Sequence, residues 1–271
     1  FMKYLSLLLL LFSIQLESSS TGPCGEYITE DESNQGECIK IDTDHTDKAS
    51  LQRGAKLYFN YCLGCHSLKF ARYNRLAKDL EIPEEIFQQN LIFGDQKMGD
   101  LIEIGMSSKD AKDWFGVPPP DLTLETSLRG EDWVYTYLKS FYIDETRPLG
   151  VNNSVYKNVG MPNVLATLQG RQISVCKELP DIADNGGLKQ DPLTGQIINI
   201  TKCGFLEADQ PGLMSEEGFD SAIFDLTNFL SYMADPIREE RKSLGVYVIL
   251  YLVIFSIFGY LLYREFKKDL H

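Results

Sequence analysis

The sequence predicts a mainly α-helical protein with a large exported part and one transmembrane helix near its C-terminus. The segment 4–14 carries no charged residue and follows Lys3, which is typical of the core of a signal peptide. The segment 243–263 is uncharged and, as a helix, would cross about 30 Å of hydrocarbon. Between them, apolar residues recur at helical spacing in two places.

The two apolar segments divide the chain into three parts. We expect a signal-peptide-like segment at 1–16, an exported domain at 17–235, and a membrane anchor with a short inner-side tail at 236–271. A buried core helix is the alternative for 243–263, but apolar residues on all faces and basic residues at both edges favour a membrane span. The export signal places the large domain on the outer, periplasmic side. No small-x-small cleavage site follows 1–16, so its removal stays open.

The chain is acidic, with 39 Asp and Glu against 26 Lys and Arg and a formal net charge of −13. This balance argues against nucleic-acid binding, which needs a basic surface. It suggests a basic partner, although simple solubility explains the charge equally well.

The stretch "YCLGCHSL" places Cys62, Cys65 and His66 within five positions. Two cysteines at this spacing can form a redox disulfide, bind zinc, or hold a haem through two thioether bonds. The histidine directly after the second cysteine favours haem, because it is delivered beneath the iron as the proximal ligand. Zinc would need a second ligand pair, and the remaining histidines, His45 and His271, lie in no ligand-spaced cluster.

Two amphipathic helices are predicted in the exported part. The first leads into the cysteine motif and the second precedes the membrane anchor, where Pro236 should end it. Their apolar stripes should pack against each other. The stripes consist of Leu51, Ala55, Tyr58 and Cys62, and of Phe219, Ile223, Leu226, Leu230 and Met233.

An electron-transfer haem needs a second axial ligand, and methionine favours a high reduction potential. Of the six methionines, Met161 stands apart in the loop "NVGMPNVL". Gly160 allows the backbone to approach a flat ring, and Pro162 stiffens the loop without needing a donor. We therefore predict Met161 as the second ligand, with a loop methionine that merely packs as the alternative.

The order of these motifs resembles the cytochrome c1 family, the haem subunits of cytochrome bc1 complexes. The resemblance rests on the cysteine motif followed by "ARYNRLAKDL", "VPPPDLTLETSLRGEDWVYTYLKSFY", "RPLGVNNSVYKNVGMPNVL" and "LTNFLSYMADPIREERKSLGVYVILYL". It covers roughly residues 47–271 and is closest to bacterial members. It implies a cytochrome c-like haem domain with long loop insertions and a C-terminal transmembrane anchor.

The resemblance also implies one covalent haem c per chain. Cys62 and Cys65 match the family's attachment residues, and His66 and Met161 match its axial pair. Pro119 and Pro120 match prolines that line the haem. The remaining matches are Arg129, which pairs with a haem propionate, and Trp133, an aromatic near the haem; a solvated surface arginine and a core tryptophan are the alternatives.

By resemblance, the function is electron transfer within a quinol:cytochrome c oxidoreductase, from a Rieske iron-sulfur protein to a soluble or tethered cytochrome c. The implied partners are cytochrome b, the Rieske protein and membrane lipid, in a dimeric complex of an energy-transducing membrane. A stand-alone membrane-anchored electron shuttle is one alternative. A haem peroxidase or sensor, which would leave the sixth iron position open, is the other.

Four further cysteines fall outside the haem motif. Segment 168–212 is rich in Gly, Pro, Asn and Asp and predicts a long surface loop. A disulfide between Cys176 and Cys203 would staple it, leaving Cys24 to pair with Cys38. Four cysteines allow three pairings, so this remains the favoured one. Lipidation of Cys24 is a weaker alternative, because a poor lipobox precedes it.

Overall fold

A computed structural model of the chain describes residues 24–25, 36–181 and 187–268. The predicted signal-like segment at 1–16 lies outside the described residues. The helices are α1 Lys48–Leu57, α2 Tyr73–Asp79, α3 Glu84–Leu91, α4 Ser108–Phe115, α5 Glu125–Arg129, α6 Glu131–Lys139, α7 Ala166–Gln169, α8 Glu216–Ala234 and α9 Arg238–Lys268. The strands are β1 Leu68–Arg72, β2 Leu101–Ile102, β3 Phe141–Ile143, β4 Val151–Asn153, β5 Gly170–Pro180 and β6 Asn199–Pro211.

Helices α1 and α8 form the centre of the core, as the two apolar stripes predicted. Asp47 caps α1, since its carboxylate accepts a hydrogen bond from the Ser50 amide at 3.0 Å. The two backbones cross at Gly54, where a Cβ atom would lie 2.0 Å from the Asp225 carbonyl oxygen. Arg53 of α1 donates to both carboxylate oxygens of Asp225 of α8, at 2.6 and 2.8 Å. This ion pair stabilises the helix crossing at its solvent-facing side.

In the described part of the chain, the strands pair as three two-stranded antiparallel sheets. The longest, β5–β6, occupies most of the segment that we predicted as a surface loop, so that prediction missed its regular structure. The hairpin is mostly exposed, and only Leu179 and Phe205 form a small buried cluster in it. Strand β5 has 11 residues and β6 has 13, and the hydrogen bonds between them satisfy the backbone donors and acceptors. The hairpin therefore does not need a large core beneath it.

Both predicted disulfides are confirmed. Cys176 faces Cys203 across the β5–β6 ladder, with their Cα atoms 3.9 Å apart. Cys24 bonds Cys38, with a Cα separation of 5.1 Å, and this pair packs against Val155. Since Cys24 lies fully buried in a disulfide, lipidation at this residue does not fit the structure.

The C-terminal helix α9 runs for 31 residues and includes the predicted span 243–263. Among its residues none is buried, so the alternative of a soluble core helix is wrong. Its length and apolar composition are sufficient to cross a membrane. The break between α8 and α9 falls at residues 235–237, around Pro236, as predicted.

A buried polar network joins the domain to the start of α9. His45 Nε2 lies 2.8 Å from the Ser231 hydroxyl, which donates at 2.5 Å to the Glu131 carboxylate. Arg238, the first residue of α9, donates to the same carboxylate at 2.9 Å. Burial, and then the positive charge of Arg238, lower the pKa of His45 below its usual 6.5.

The low pKa of His45 predicts acid-sensitive stability. As pH falls through 6.5, unfolded His45 binds a proton more readily than folded His45, whose pKa is lower, so the free energy of unfolding decreases below that pH. His45→Gln keeps a donor for Ser231 but does not titrate. Between about pH 7 and about pH 5 we expect the free energy of unfolding to fall less in the variant than in the wild type. Urea unfolding of the detergent-solubilised chain measures this, and equal losses would contradict the prediction.

Candidate haem site

The cysteine motif lies on a tight turn at the end of α1. The helix continues as a π-helical turn over Tyr58–Cys62, a distortion that often marks functional sites. The amides of Cys65 and His66 both donate to the Cys62 carbonyl oxygen, at 3.0 and 2.9 Å. The hydroxyl of the buried Tyr58 donates to the His66 carbonyl oxygen at 2.6 Å, which pins the turn to the core.

Cys62 and Cys65 are the two cysteines without a disulfide in a chain whose other four are paired. Burial raises the pKa of the Cys62 thiol to about 12. A redox-active pair needs a lowered thiol pKa, so the environment disfavours the redox-disulfide alternative. Within the residues that the structure describes, no group of three or more His, Cys, Asp and Glu side chains could hold zinc.

The imidazole of His66 is oriented as a metal ligand requires. Its Nδ1 lies 2.8 Å from the carbonyl oxygen of Pro120. A carbonyl only accepts, so Nδ1 carries the proton and Nε2 keeps its lone pair for a metal. Burial lowers the pKa of His66, which keeps the ring neutral and able to coordinate.

The proline segment runs beside the motif turn and fixes its position. The Leu122 amide donates to the Ser67 carbonyl oxygen at 3.0 Å, and Asp121 accepts from the Lys69 amide at 2.8 Å. Pro120 contacts His66 directly, while its role in lining the haem stays a prediction. Pro119 lines a neighbouring cleft together with Ser67.

Met161 lies in a loop that packs against the chain just before the prolines. A Cβ atom on Gly160 would lie 3.1 Å from the Phe115 carbonyl oxygen and 3.6 Å from the Val117 side chain. The Met161 sulfur accepts a hydrogen bond from the Tyr137 hydroxyl at 3.4 Å. Contacts through the 115–120 segment thus bring the Met161 loop and His66 to the same part of the domain.

Arg129 and Trp133 lie on the Tyr137 side of the site. The Arg129 guanidinium stands 4.5 Å from the Trp133 ring centroid and 5.8 Å from that of Tyr156, and it pairs with the Glu125 carboxylate. An arginine so held is not a freely solvated surface charge. Its predicted contact with a haem propionate stays a prediction, as does the position of Trp133 near the haem.

Two residues of this region were missed by sequence reasoning. Tyr58 was assigned only to the packing stripe, yet its hydroxyl holds the His66 backbone. Tyr137 was not singled out. It lies one helical turn after Trp133, so the i, i+4 spacing could have suggested a shared face.

The sequence profile of the Cytochrome C1 family matches residues 40–185 and 214–270. The chain belongs to the cytochrome c1 family. Proteins of this family carry covalently bound haem c and are the haem-bearing electron-transfer subunits of bc1 complexes, which also contain cytochrome b and a Rieske protein. They are anchored in the membrane.

Curated relatives span most of this chain. Cytochrome c1 of Allochromatium vinosum is 50% identical over 228 residues, covering 84% of this chain and 87% of that protein. A Nitrosomonas europaea protein named ammonia monooxygenase gamma subunit is 38% identical over 243 residues, covering 88% and 92%. A mitochondrial cytochrome c1 of Arabidopsis thaliana is 24% identical over 239 residues, covering 82% and 67%.

The family predicts a bound haem c, and the residues present fit it. His66 Nε2 has its lone pair free because Nδ1 is committed to Pro120. The thiols of Cys62 and Cys65 lie on the same turn without a disulfide, and the Met161 loop packs against the segment just before the prolines. These donors are a neutral nitrogen and a soft sulfur, the pair that suits haem iron at high potential.

Proposed function

We propose that Cys62 and Cys65 hold the haem c of this cytochrome c1 chain and that His66 and Met161 are its axial ligands. The observation that carries this assignment is the hydrogen bond between His66 Nδ1 and the Pro120 carbonyl oxygen. It selects the tautomer that coordinates and holds the ring beside the proline segment, with Nε2 left free for a metal.

The haem, when bound, accepts and releases one electron. The residues of this chain position it and shield it from solvent. His66 and Met161 would fill both axial positions, which leaves no open site for oxygen or peroxide and disfavours the peroxidase and sensor alternatives. Pro119 and Pro120 would form part of its wall, Trp133 would lie near it, and Arg129 would offset the charge of a propionate.

We further propose that the haem domain, residues 17–235, lies on the outer face of the membrane and the end of the chain on the inner face. Disulfides form in oxidising compartments, and this domain contains two. Among the described residues, helix α9 is the one candidate span, with Arg264 and Lys267 at its inner edge. The cysteines of the haem domain and the export signal predicted at 1–16 thus support the same orientation.

The electron donor in this proposal is the Rieske protein and the acceptor is a soluble or tethered cytochrome c, within a dimeric complex. Purification from membranes in mild detergent through a tag on this chain tests the assembly. We expect a di-haem cytochrome b and a Rieske protein to copurify in equal amounts, with quinol:cytochrome c reductase activity. A chain that purifies alone would support the stand-alone shuttle instead. Copurification with monooxygenase subunits, as the name of the Nitrosomonas relative suggests for that protein, would contradict the proposal.

A further inference from the structure

Tyr137 makes a direct contact with the proposed sixth ligand. Its hydroxyl lies 3.4 Å from the Met161 sulfur and donates a hydrogen bond to it. We propose that Tyr137 is a positioning residue that orients the Met161 thioether and raises the reduction potential of the haem. This inference rests on the proposed ligation by Met161.

The aromatic ring of Tyr137 is held on two sides. It stacks on Trp133, with ring centroids 5.0 Å apart and an angle of 8° between the planes. Phe141 meets it edge-on at 5.2 Å. Between these two rings Tyr137 has little rotational freedom, so its hydroxyl is fixed in space before any ligand is bound.

The N-terminal disulfide packs behind the same rings. Cys24, Cys38 and Val155 form a small buried cluster against which Trp133 and Tyr137 pack. The backbone at Gly25, next to the disulfide, approaches the Val155 backbone closely, since a Cβ atom on Gly25 would lie 2.5 Å from the Val155 carbonyl oxygen. The segment after the disulfide is tied to the same helix, because the Ile39 amide donates to the Thr136 hydroxyl at 2.9 Å.

This support lies outside the part of the chain matched by the family profile, which begins at residue 40. The disulfide is therefore an addition to the matched segment, and it packs against the helix that carries Tyr137. Its position suggests a role in keeping Tyr137 against the Met161 loop.

The hydrogen bond has a defined electronic effect. A thioether sulfur has two lone pairs, so it can accept from Tyr137 with one and coordinate iron with the other. A donor on the sulfur withdraws electron density and weakens its donation to iron. Ferric iron depends on that donation more than ferrous iron does, so the bond favours the reduced state and raises the potential.

Tyr137→Phe tests the inference, because it keeps the stacked ring and removes only the hydroxyl. In the purified complex we expect a lower midpoint potential for this haem. The shift should change the ferric-to-ferrous ratio at a fixed poise by roughly three- to tenfold, where tenfold corresponds to about 59 mV for one electron. The Met-to-iron charge-transfer band should remain but move. Tyr135→Phe is the matched control, because it removes a hydroxyl two residues along the same helix, on another face, and should leave the potential unchanged.

A second pair of measurements separates this inference from the ligation on which it rests. In a Met161→His background the thioether is absent, so Tyr137→Phe should no longer shift the potential. If the wild type shows a Met-to-iron band that Met161→Ala removes, and Tyr137→Phe leaves potential and band unchanged, the positioning role is wrong while the ligation stands. If the wild type lacks that band, both are wrong.

The Cys24→Ser, Cys38→Ser double variant gives an independent test that leaves Tyr137 in place. It removes the covalent support behind the rings while keeping the hydroxyl. We expect a smaller fall in potential in the same direction and a broader charge-transfer band, from a less uniform hydrogen bond. A potential and band identical to those of the wild type would contradict the role of the disulfide in holding Tyr137.

Discussion

Replacing Met161 with alanine is expected to leave the haem attached but to abolish its function in electron transfer. The thioether bonds to Cys62 and Cys65 do not depend on the sixth ligand. A harder oxygen donor would replace the soft thioether and would stabilise ferric iron more, so the potential should fall by a few tenths of a volt within the range of about 0.8 V that axial ligands span. Quinol:cytochrome c turnover should drop at least about tenfold, because the haem becomes too weak an oxidant for the Rieske centre.

Redox titration and an optical spectrum of the oxidised complex measure both effects. Met214→Ala is a suitable control, because Met214 is another partly buried methionine and packs on the core beside Leu168. Its potential and charge-transfer band should match the wild type. A Met161→Ala complex that kept the band and its potential would show that another residue is the ligand, and would make the peroxidase and sensor alternatives relevant again.

Gly54→Ala is expected to be the most destabilising single-methyl addition in the core. The new Cβ would lie 2.0 Å from the Asp225 carbonyl oxygen and 2.6 Å from the Phe229 Cβ, so α1 and α8 would have to separate. The clash involves backbone and cannot be relieved by a side-chain rotation. A cost on the order of 3 kcal/mol or more in the free energy of unfolding follows from overpacking of this kind. The haem motif at the end of α1 should also shift.

Urea unfolding of the detergent-solubilised chain, together with the yield of haem-loaded protein, measures the effect. Gly105→Ala is the matched control, since no heavy atom lies within 4 Å of the position its Cβ would take. Its unfolding midpoint should stay close to that of the wild type. If Gly54→Ala and Gly105→Ala were equally stable, the close crossing of α1 and α8 would be wrong.

The parts of the fold that could be predicted from the sequence are those encoded by local periodicity. The stripes from Leu51 and from Phe219 predicted both core helices, and the uncharged run 243–263 predicted α9. The β5–β6 hairpin was missed because its turn-forming residues dominate the composition of the segment. Its strands are stabilised by cross-strand pairing, which depends on residues between 19 and 41 positions apart and leaves only a weak local pattern.

The candidate site shows the same division. Cys62, Cys65 and His66 lie within five consecutive positions, so the sequence alone indicates a haem-attachment motif. The hydrogen bond from His66 to Pro120 joins residues 54 positions apart, and the bond from Tyr137 to Met161 joins residues 24 apart. Neither can be deduced from spacing. The family resemblance predicted Pro120 near the haem but gave no reason to select Tyr137.

The most direct test of the central claim is whether the porphyrin stays on the polypeptide after denaturation. The purified chain is extracted with acidified acetone and run on a denaturing gel stained for haem peroxidase activity. We predict a stained band at the mass of this chain, lost in the Cys62→Ser, Cys65→Ser double variant. A colourless wild-type polypeptide, with all haem in the extract, would contradict the account.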